Sequence, residues 1–235
     1  MKITAFNASP RGERGNTHVM VSVFLEGAKR AGADVENILL VKNNIKHCMG
    51  CFTCWTQTPG VCAIKDDMPG LLEEYIKSDI VIIATPLYVD YVSGIMKDFM
   101  DRMLPIVCPQ FEKDDTGQTR HKKRYNKYPA MIMMSNCGFP EAGQFEVLRL
   151  YCERRARNNK TDVLAQIYRS QGPLFESDDP DMKPVVEKYK ELLRNAGEEV
   201  VKYGQISSKT QEELEKPLIP EDEYSRAINE SWGKL

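Results

Sequence analysis

Apolar residues in this 235-residue chain fall into short continuous runs separated by stretches of helical spacing. The run Ile3-Thr4-Ala5-Phe6 leads into a turn from Asn7 to Gly15, after which Met20, Val23, Phe24 and Ala28 recur at the interval of one helix face. Val35 to Val41 predicts a second strand. Ile80-Val81-Ile82-Ile83-Ala84 predicts a third, apolar throughout as in a parallel strand buried on both faces. Between them Met68 to Ile76 has helical spacing, opened by Asp66-Asp67, acids that suit the dipole of a helix N-terminus. Ile95 to Leu104 predicts the next helix, Ala130 to Met134 the fourth strand and Gln144 to Arg155 the fourth helix. Thr161 to Ile167 predicts the fifth strand and Pro184 to Tyr203 a long amphipathic helix. Strands alternating with helices imply right-handed crossovers and a doubly wound five-stranded parallel sheet, helices on both faces, in the order 2-1-3-4-5.

Three segments exceed this minimal unit: residues 42–65, the polar stretch 105–128, and a tail at 204–235. The expected organisation is one domain over 1–203, with the first two segments inside it, and a C-terminal extension. There is no internal repeat and no low-complexity tract. Hydrophobic residues at 42% and charged residues at 28% are ordinary for a globular protein. The net charge of -2 provides no global field to attract nucleic acid or an anionic membrane, so small-molecule partners are favoured. No apolar run reaches the roughly 20 residues that span a bilayer, and the N-terminus enters a strand at once, which leads to an expectation of a cytoplasmic protein. Four of seven cysteines crowd between Cys48 and Cys62, a pattern that suits a reducing compartment and a metal or redox site better than a disulfide framework.

The first strand-to-helix turn, Ser9-Pro10-Arg11-Gly12-Glu13-Arg14-Gly15-Asn16-Thr17, sits where free backbone N–H groups and the helix dipole both favour an anion. Ser9, Asn16 and Thr17 add side-chain donors and Arg11 a guanidinium, while the glycines at 12 and 15 permit close approach. An ordinary loop capped by Asn or Thr has the same look. The chain lacks Gly-x-Gly-x-x-Gly and Gly-Lys-Ser/Thr, which excludes the dinucleotide and nucleoside triphosphate loops.

Asn7-Ala8-Ser9-Pro10-Arg11, followed by Asn16-Thr17, resembles the FMN phosphate loop of the NAD(P)H-dependent FMN reductase family in the flavodoxin-like superfamily. Thr85-Pro86-Leu87-Tyr88-Val89, then Ser93-Gly94 and the helix carrying Lys97, Asp98, Asp101 and Arg102, resembles the second flavin loop. Ser135-Asn136-Cys137-Gly138-Phe139-Pro140 resembles the third. The similarity covers about residues 1–200, and all three loops follow strands, where open α/β sheets bind ligands. It implies that Ser9, Arg11, Gly15, Asn16 and Thr17 hold the FMN phosphate. Pro86, Leu87, Tyr88, Val89, Ser93 and Gly94 would border the isoalloxazine, with Asn136, Cys137, Gly138 and Phe139 on its pyrimidine side. Tyr88 packed against its own helix is the plain alternative, and the Cys137 thiol has a place near the ring.

Cys48-x2-Cys51-x2-Cys54-x7-Cys62 places four thiols on one short loop, with the compact spacing used for [4Fe–4S] ligation. The fourth cysteine departs from the ferredoxin pattern, being seven residues on with no following proline. Zinc bound by four thiolates and a metal-free thiol loop are the alternatives. The position after the second strand resembles that of the iron–sulfur flavoprotein branch of the superfamily. Cys108, Cys137 and Cys152 are expected to be buried side chains, and His18, His47 and His121 have no metal-site spacing. Trp55 covers a cluster, stacks near a flavin or fills the loop's own core.

These readings converge on an FMN-dependent oxidoreductase fed by NAD(P)H or another reductant, with electrons leaving singly if the loop holds a cluster. No side-chain acid or base is required, so no catalytic residue is named. A carrier reduced by a ferredoxin-like partner and a redox-sensing module are the rivals. The basic run Arg120-His121-Lys122-Lys123-Arg124 suits the 2′-phosphate of NADPH, an anionic acceptor or, preferably, a solvated excursion, because Glu112, Asp114 and Asp115 lie close before it. The resemblance implies a homodimer or homotetramer, and the tail, with Leu214, Leu218, Ile219, Tyr224, Ile228 and Trp232 but no period, either wraps its own domain or, as expected here, covers a neighbouring subunit.

Overall fold

In the computed structural model, which describes residues 1–233, the chain opens with β1 (Lys2–Asn7), α1 (Asn16–Arg30) and β2 (Asp34–Leu39). The cysteine loop follows, holding the single turn α2 (Thr53–Thr56), and leads to α3 (Met68–Lys77) and β3 (Ile80–Tyr88). Next come β4 (Tyr91–Val92), α4 (Gly94–Asp101), β5 (Val107–Lys113), β6 (Thr119–Lys123) and β7 (Ala130–Asn136). The chain then forms α5 (Glu146–Asn159), β8 (Val163–Arg169), α6 (Met182–Tyr203), α7 (Ser208–Glu215) and α8 (Glu221–Trp232).

The main sheet runs β2-β1-β3-β7-β8 with every neighbouring pair parallel, which is the expected 2-1-3-4-5 order with β7 and β8 as its fourth and fifth strands. Ile3 stands opposite Val35 and Ile80, fixing the central register. Alternation sends Ile80, Ile82, Ile132 and Met134 to one face, against Met20 and Phe24 of α1 and Leu193 and Val200 of α6. Val81, Ile83, Met131 and Met133 go to the other, against Leu72 and Tyr75 of α3, Phe99 of α4 and Leu148 of α5. β3 runs past the expected end at Ala84, pairing Thr85 with Ser135 and Pro86 with Asn136, so the ladder continues up to the loops at the carboxyl edge. None of the described helices is long and apolar enough to cross a membrane.

Residues 105–128 form an ordered excursion, exposed through residues 115–119 and 125–127. Strands β5 and β6 form an antiparallel hairpin there, and several of its charges pair within it or with α5 and the residue after it. Glu112 accepts from Arg120 at 3.0 Å and pairs with Lys160; Asp114 takes Arg157 of α5 at 2.6 Å. Arg124 donates to the carbonyls of Pro105 and Val107. The hairpin went unread because its strand pairing is paid out in ion pairs rather than in an apolar face.

The tail wraps its own domain, the other of the two placements its sequence left open. The fully buried Arg169 at the end of β8 donates to the carbonyls of Leu214 and Lys216 at 3.3 and 2.8 Å. Gln171 donates to the carbonyl of Ile219 and accepts from the Leu218 and Ile219 N–H groups. Leu214 and Tyr224 are buried, whereas Trp232 at the far end is exposed. A few anchors and backbone carbonyls hold this segment, which is why it shows no hydrophobic period.

Candidate active site and cysteine loop

At the carboxyl edge of β1, β3 and β7 lies a cleft of about 350 Å³, a volume within the range of small-molecule sites. Ser9, Arg11, Asn16 and Thr17 line one end, Pro86, Leu87 and Tyr88 one wall, and Asn136, Cys137 and Gly138 the other. The three loops named from the sequence therefore meet. The Ala8 N–H bonds the carbonyl of Ala84, and the Asn7 side chain accepts from the Ser9 N–H at 3.0 Å, which turns the chain away from β1. Gly15 precedes α1, and a Cβ there would lie 2.0 Å from Ser9 Oγ, so only glycine leaves Ser9 in place. Asn136 Nδ2 donates to Thr17 Oγ1 at 2.7 Å, joining the first and third loops and leaving the Thr17 hydroxyl proton free to donate elsewhere. The buried Asn16 amide oxygen, an acceptor, has no partner in the protein; any bond to an anion comes from its Nδ2 instead.

Other residues named from the sequence sit behind or beside the cleft wall. Ser93 is buried; its hydroxyl donates to the Ala8 carbonyl and accepts from the Met96 N–H, capping α4 and tying the second loop to the first. Gly94 opens that helix. Val89 is 97% exposed at the tip of the β3–β4 turn, where it and Asp90 both have positive φ, an unusual backbone for a β-branched residue. Phe139 is half-exposed and Tyr88 lines the cleft at its rim rather than being buried against a helix. Burial pushes the Cys137 thiol up to about 11, so at neutral pH it presents an uncharged S–H to the cleft. Cys152 is buried as expected, but Cys108 is only half-buried.

Two lining residues escaped sequence reasoning. Pro173 and Glu176 come from the turn after β8, and Glu176 bonds Arg11 at 3.1 Å across the cleft mouth. The Gly172-Pro173 pair after the fifth strand was the available signal for a fourth loop at this edge. The tail adds a support as well, because the Tyr224 hydroxyl donates to the Gly138 carbonyl at 2.9 Å.

The cysteine loop lies beyond the other end of α4. Cys48, Cys51, Cys54 and Cys62 all line one small cavity with Asp101, Arg102 and Leu104. Cys48 and Cys51 are exposed, Cys54 is buried, and all four are free thiols. Burial, followed by the neighbouring sulfurs, pushes the Cys54 thiol up; hydrogen bonds from Thr53 pull that of Cys51 down. Trp55 fills the loop's own core, donating to the Leu104 carbonyl at 2.9 Å and packing on Phe52 and His121. Among the described residues no three His, Cys, Asp or Glu side chains are arranged as a formed metal site. The donor set nevertheless fits a sulfur-ligated centre: four thiols open on one cavity, and Arg102, which also lines it, has a buried Nε without a partner. His47 bonds Asp98 of α4 at 2.5 Å, outside that cavity.

A doubly wound sheet with a polar cleft where its first, third and fourth loops meet defines the flavodoxin-like class. The sequence matches the family described as NADPH-dependent FMN reductase over residues 1–144, and the chain belongs to that family. An iron–sulfur flavoprotein from Archaeoglobus fulgidus is 38% identical over 102 residues, covering 43% of this chain and 48% of the relative. One from Methanocaldococcus jannaschii is 34% identical over 106 residues, covering 45% of this chain and 53% of the relative. These matches span about half the length of the curated relatives. A crystal structure of an FMN-dependent NADH-azoreductase from Bacillus anthracis in complex with FMN superposes with a TM-score of 0.62 at 16% identity, covering 85% of this chain and 99% of that one. At that identity the likeness shows the fold.

Proposed function

We propose that this chain is an FMN-dependent oxidoreductase that takes electrons from NAD(P)H, and that its four clustered cysteines hold a [4Fe–4S] centre through which they leave. The observation that carries the flavin reading is the cleft, whose anion-favouring end is built from Ser9, Arg11, Asn16 and Thr17 at the start of α1. Bound FMN supplies the hydride and single-electron chemistry. The protein's part is to hold the phosphate, to fix the ring between residues 86–88 and 136–138, and to keep one face accessible at the half-exposed Tyr88. Arg11 is shared with Glu176 in this structure, so an entering phosphate competes with that carboxylate for the guanidinium.

The cluster reading rests on the four thiols around one cavity and on the iron–sulfur flavoproteins among the relatives. Helix α4 links the two sites: Ser93 at its start is bonded to the phosphate loop, and Arg102 at its end borders the thiols. Nine residues of helical rise separate them by about 13 Å.

Anaerobic addition of NAD(P)H to the FMN-loaded protein is expected to bleach the flavin stoichiometrically. Reduction only by a ferredoxin-like donor would replace the reductase reading with that of a carrier. Thr17→Ala is expected to weaken FMN binding by roughly tenfold or more, since a hydrogen bond to a charged group contributes about 1.5–3 kcal/mol. Equilibrium titration followed by flavin fluorescence checks this, and unchanged affinity would remove Thr17 from the phosphate site.

A further inference from the structure

Arg102 and Asp66 form an ion pair with both side chains fully shielded from solvent, in a chain whose other ion pairs among the described residues are at least partly exposed. The contact is two-pronged: Nη1 to Oδ2 at 2.6 Å and Nη2 to Oδ1 at 3.0 Å. Nη1 also donates to the Lys46 carbonyl at 2.7 Å, while Asp66 accepts from the Lys46 and Met68 N–H groups. The strand of chain entering the cysteine loop and the strand leaving it are therefore clamped on one guanidinium at the end of α4.

Clamping consumes the two terminal nitrogens and leaves Nε, a buried donor, without a partner. Such a group costs about 1–3 kcal/mol if it stays unpaired. The side chain borders the cavity shared by the four thiols and lies against Cys62. A neutral thiol is a weak acceptor, whereas a metal-bound thiolate carries the charge that an N–H of a cation seeks.

We propose that Arg102 is a positioning residue for the sulfur-ligated centre, its Nε–H donating to a ligand sulfur and its clamped charge favouring the reduced, more negative state. The proposal rests on the reading that these cysteines hold a [4Fe–4S] cluster. Hydrogen bonds to the sulfurs and local charge are among the features that set the potentials of such centres. Asp66 limits the effect without removing it, because the pair is oriented with Asp66 on the terminal nitrogens and Nε left over.

The test uses the full chain, reconstituted anaerobically with iron and sulfide, and reads iron and sulfide content, FMN content and the cluster midpoint potential. Arg102→Lys keeps a cation opposite Asp66 but loses Nε–H. It is expected to bind iron and FMN as the unaltered protein does, with a reduced-to-oxidised ratio at fixed potential lowered about tenfold, which is 59 mV for one electron. The paired replacement Arg102→Met with Asp66→Leu leaves no unpaired charge and is expected to shift the potential in the same direction; it supplies the readout if the lysine variant fails to fold. A loaded cluster with the same potential in the unaltered protein and the folded variants overturns the role of Arg102 alone. Absence of iron and sulfide from the unaltered protein overturns the cluster reading and this inference with it.

Discussion

Replacing Asp66 with alanine is expected to destabilise the cysteine loop and the end of α4 by about 3–5 kcal/mol, the cost of leaving a buried charge without its partner. The stranded group is Arg102, which would keep only the Lys46 carbonyl for a cation fully shielded from solvent. Chemical denaturation under reducing conditions measures the loss, and hydrogen exchange across residues 44–68 places it in the loop. The paired replacement of Asp66 by Leu and Arg102 by Met should recover most of it, since removing both charges leaves no desolvated ion. Equal losses in the single and paired variants would mean that packing, not charge, holds the loop.

The same pair gives this region an acid limit. Burial alone would raise the Asp66 carboxyl, but the Arg102 guanidinium and the Lys46 and Met68 N–H groups outweigh it and hold the group below its ordinary 3.8. A carboxylate depressed on folding contributes its stability above the ordinary value and loses it as pH falls through the lower folded value. Loop opening in the unaltered protein is therefore expected below about pH 4, with the paired variant lacking that component.

Gly197→Ala is the second large effect, expected to cost about 3 kcal/mol by forced overpacking. A Cβ at Gly197 would lie 2.1 Å from the Phe24 carbonyl oxygen, and one at Gly27 would lie 1.9 Å from that of Arg194. Each glycine thus faces the backbone of the other helix, and neither contact can be relieved by turning a side chain. Separating α1 from α6 also loosens Phe24 and Leu193 from the sheet. For a domain of this size about 3 kcal/mol corresponds to a fall in Tm of roughly 6–12 °C. Gly70→Ala in α3, where nothing lies within 4 Å of the added carbon, is the control and should be neutral or stabilising by up to about 1 kcal/mol. A Gly197→Ala protein as stable as the unaltered chain would show that the helix crossing is not set by these glycines.

The sheet was legible because each of its central strands is an apolar run with helical spacing on either side. Ile80 to Ala84 reads as a strand buried on both faces of a parallel sheet, and Ala130 to Met134 as a strand between helices. The cleft was legible in its three named loops because loop position, rather than side-chain contact, decides where an α/β fold binds ligands. What escaped depends on pairings distant in sequence. Asp66 read as a helix-dipole acid and Arg102 as part of a flavin-loop helix; nothing local joins residues 36 positions apart. Glu176 likewise reaches the cleft only through its bond to Arg11, 165 positions away. The tail's docking rests on Arg169 and Gln171 capturing backbone carbonyls, which no pattern in residues 204–235 announces.

Titrating the flavin-free chain with FMN and with riboflavin, under reducing conditions and at several salt concentrations, tests most directly that the cleft takes FMN by its phosphate. About one FMN per chain, bound at least tenfold more tightly than riboflavin and with an advantage that shrinks as salt rises, is the expected result. Equal affinity for the two flavins, or no binding of either, would contradict the assignment of Ser9, Arg11, Asn16 and Thr17 to a phosphate.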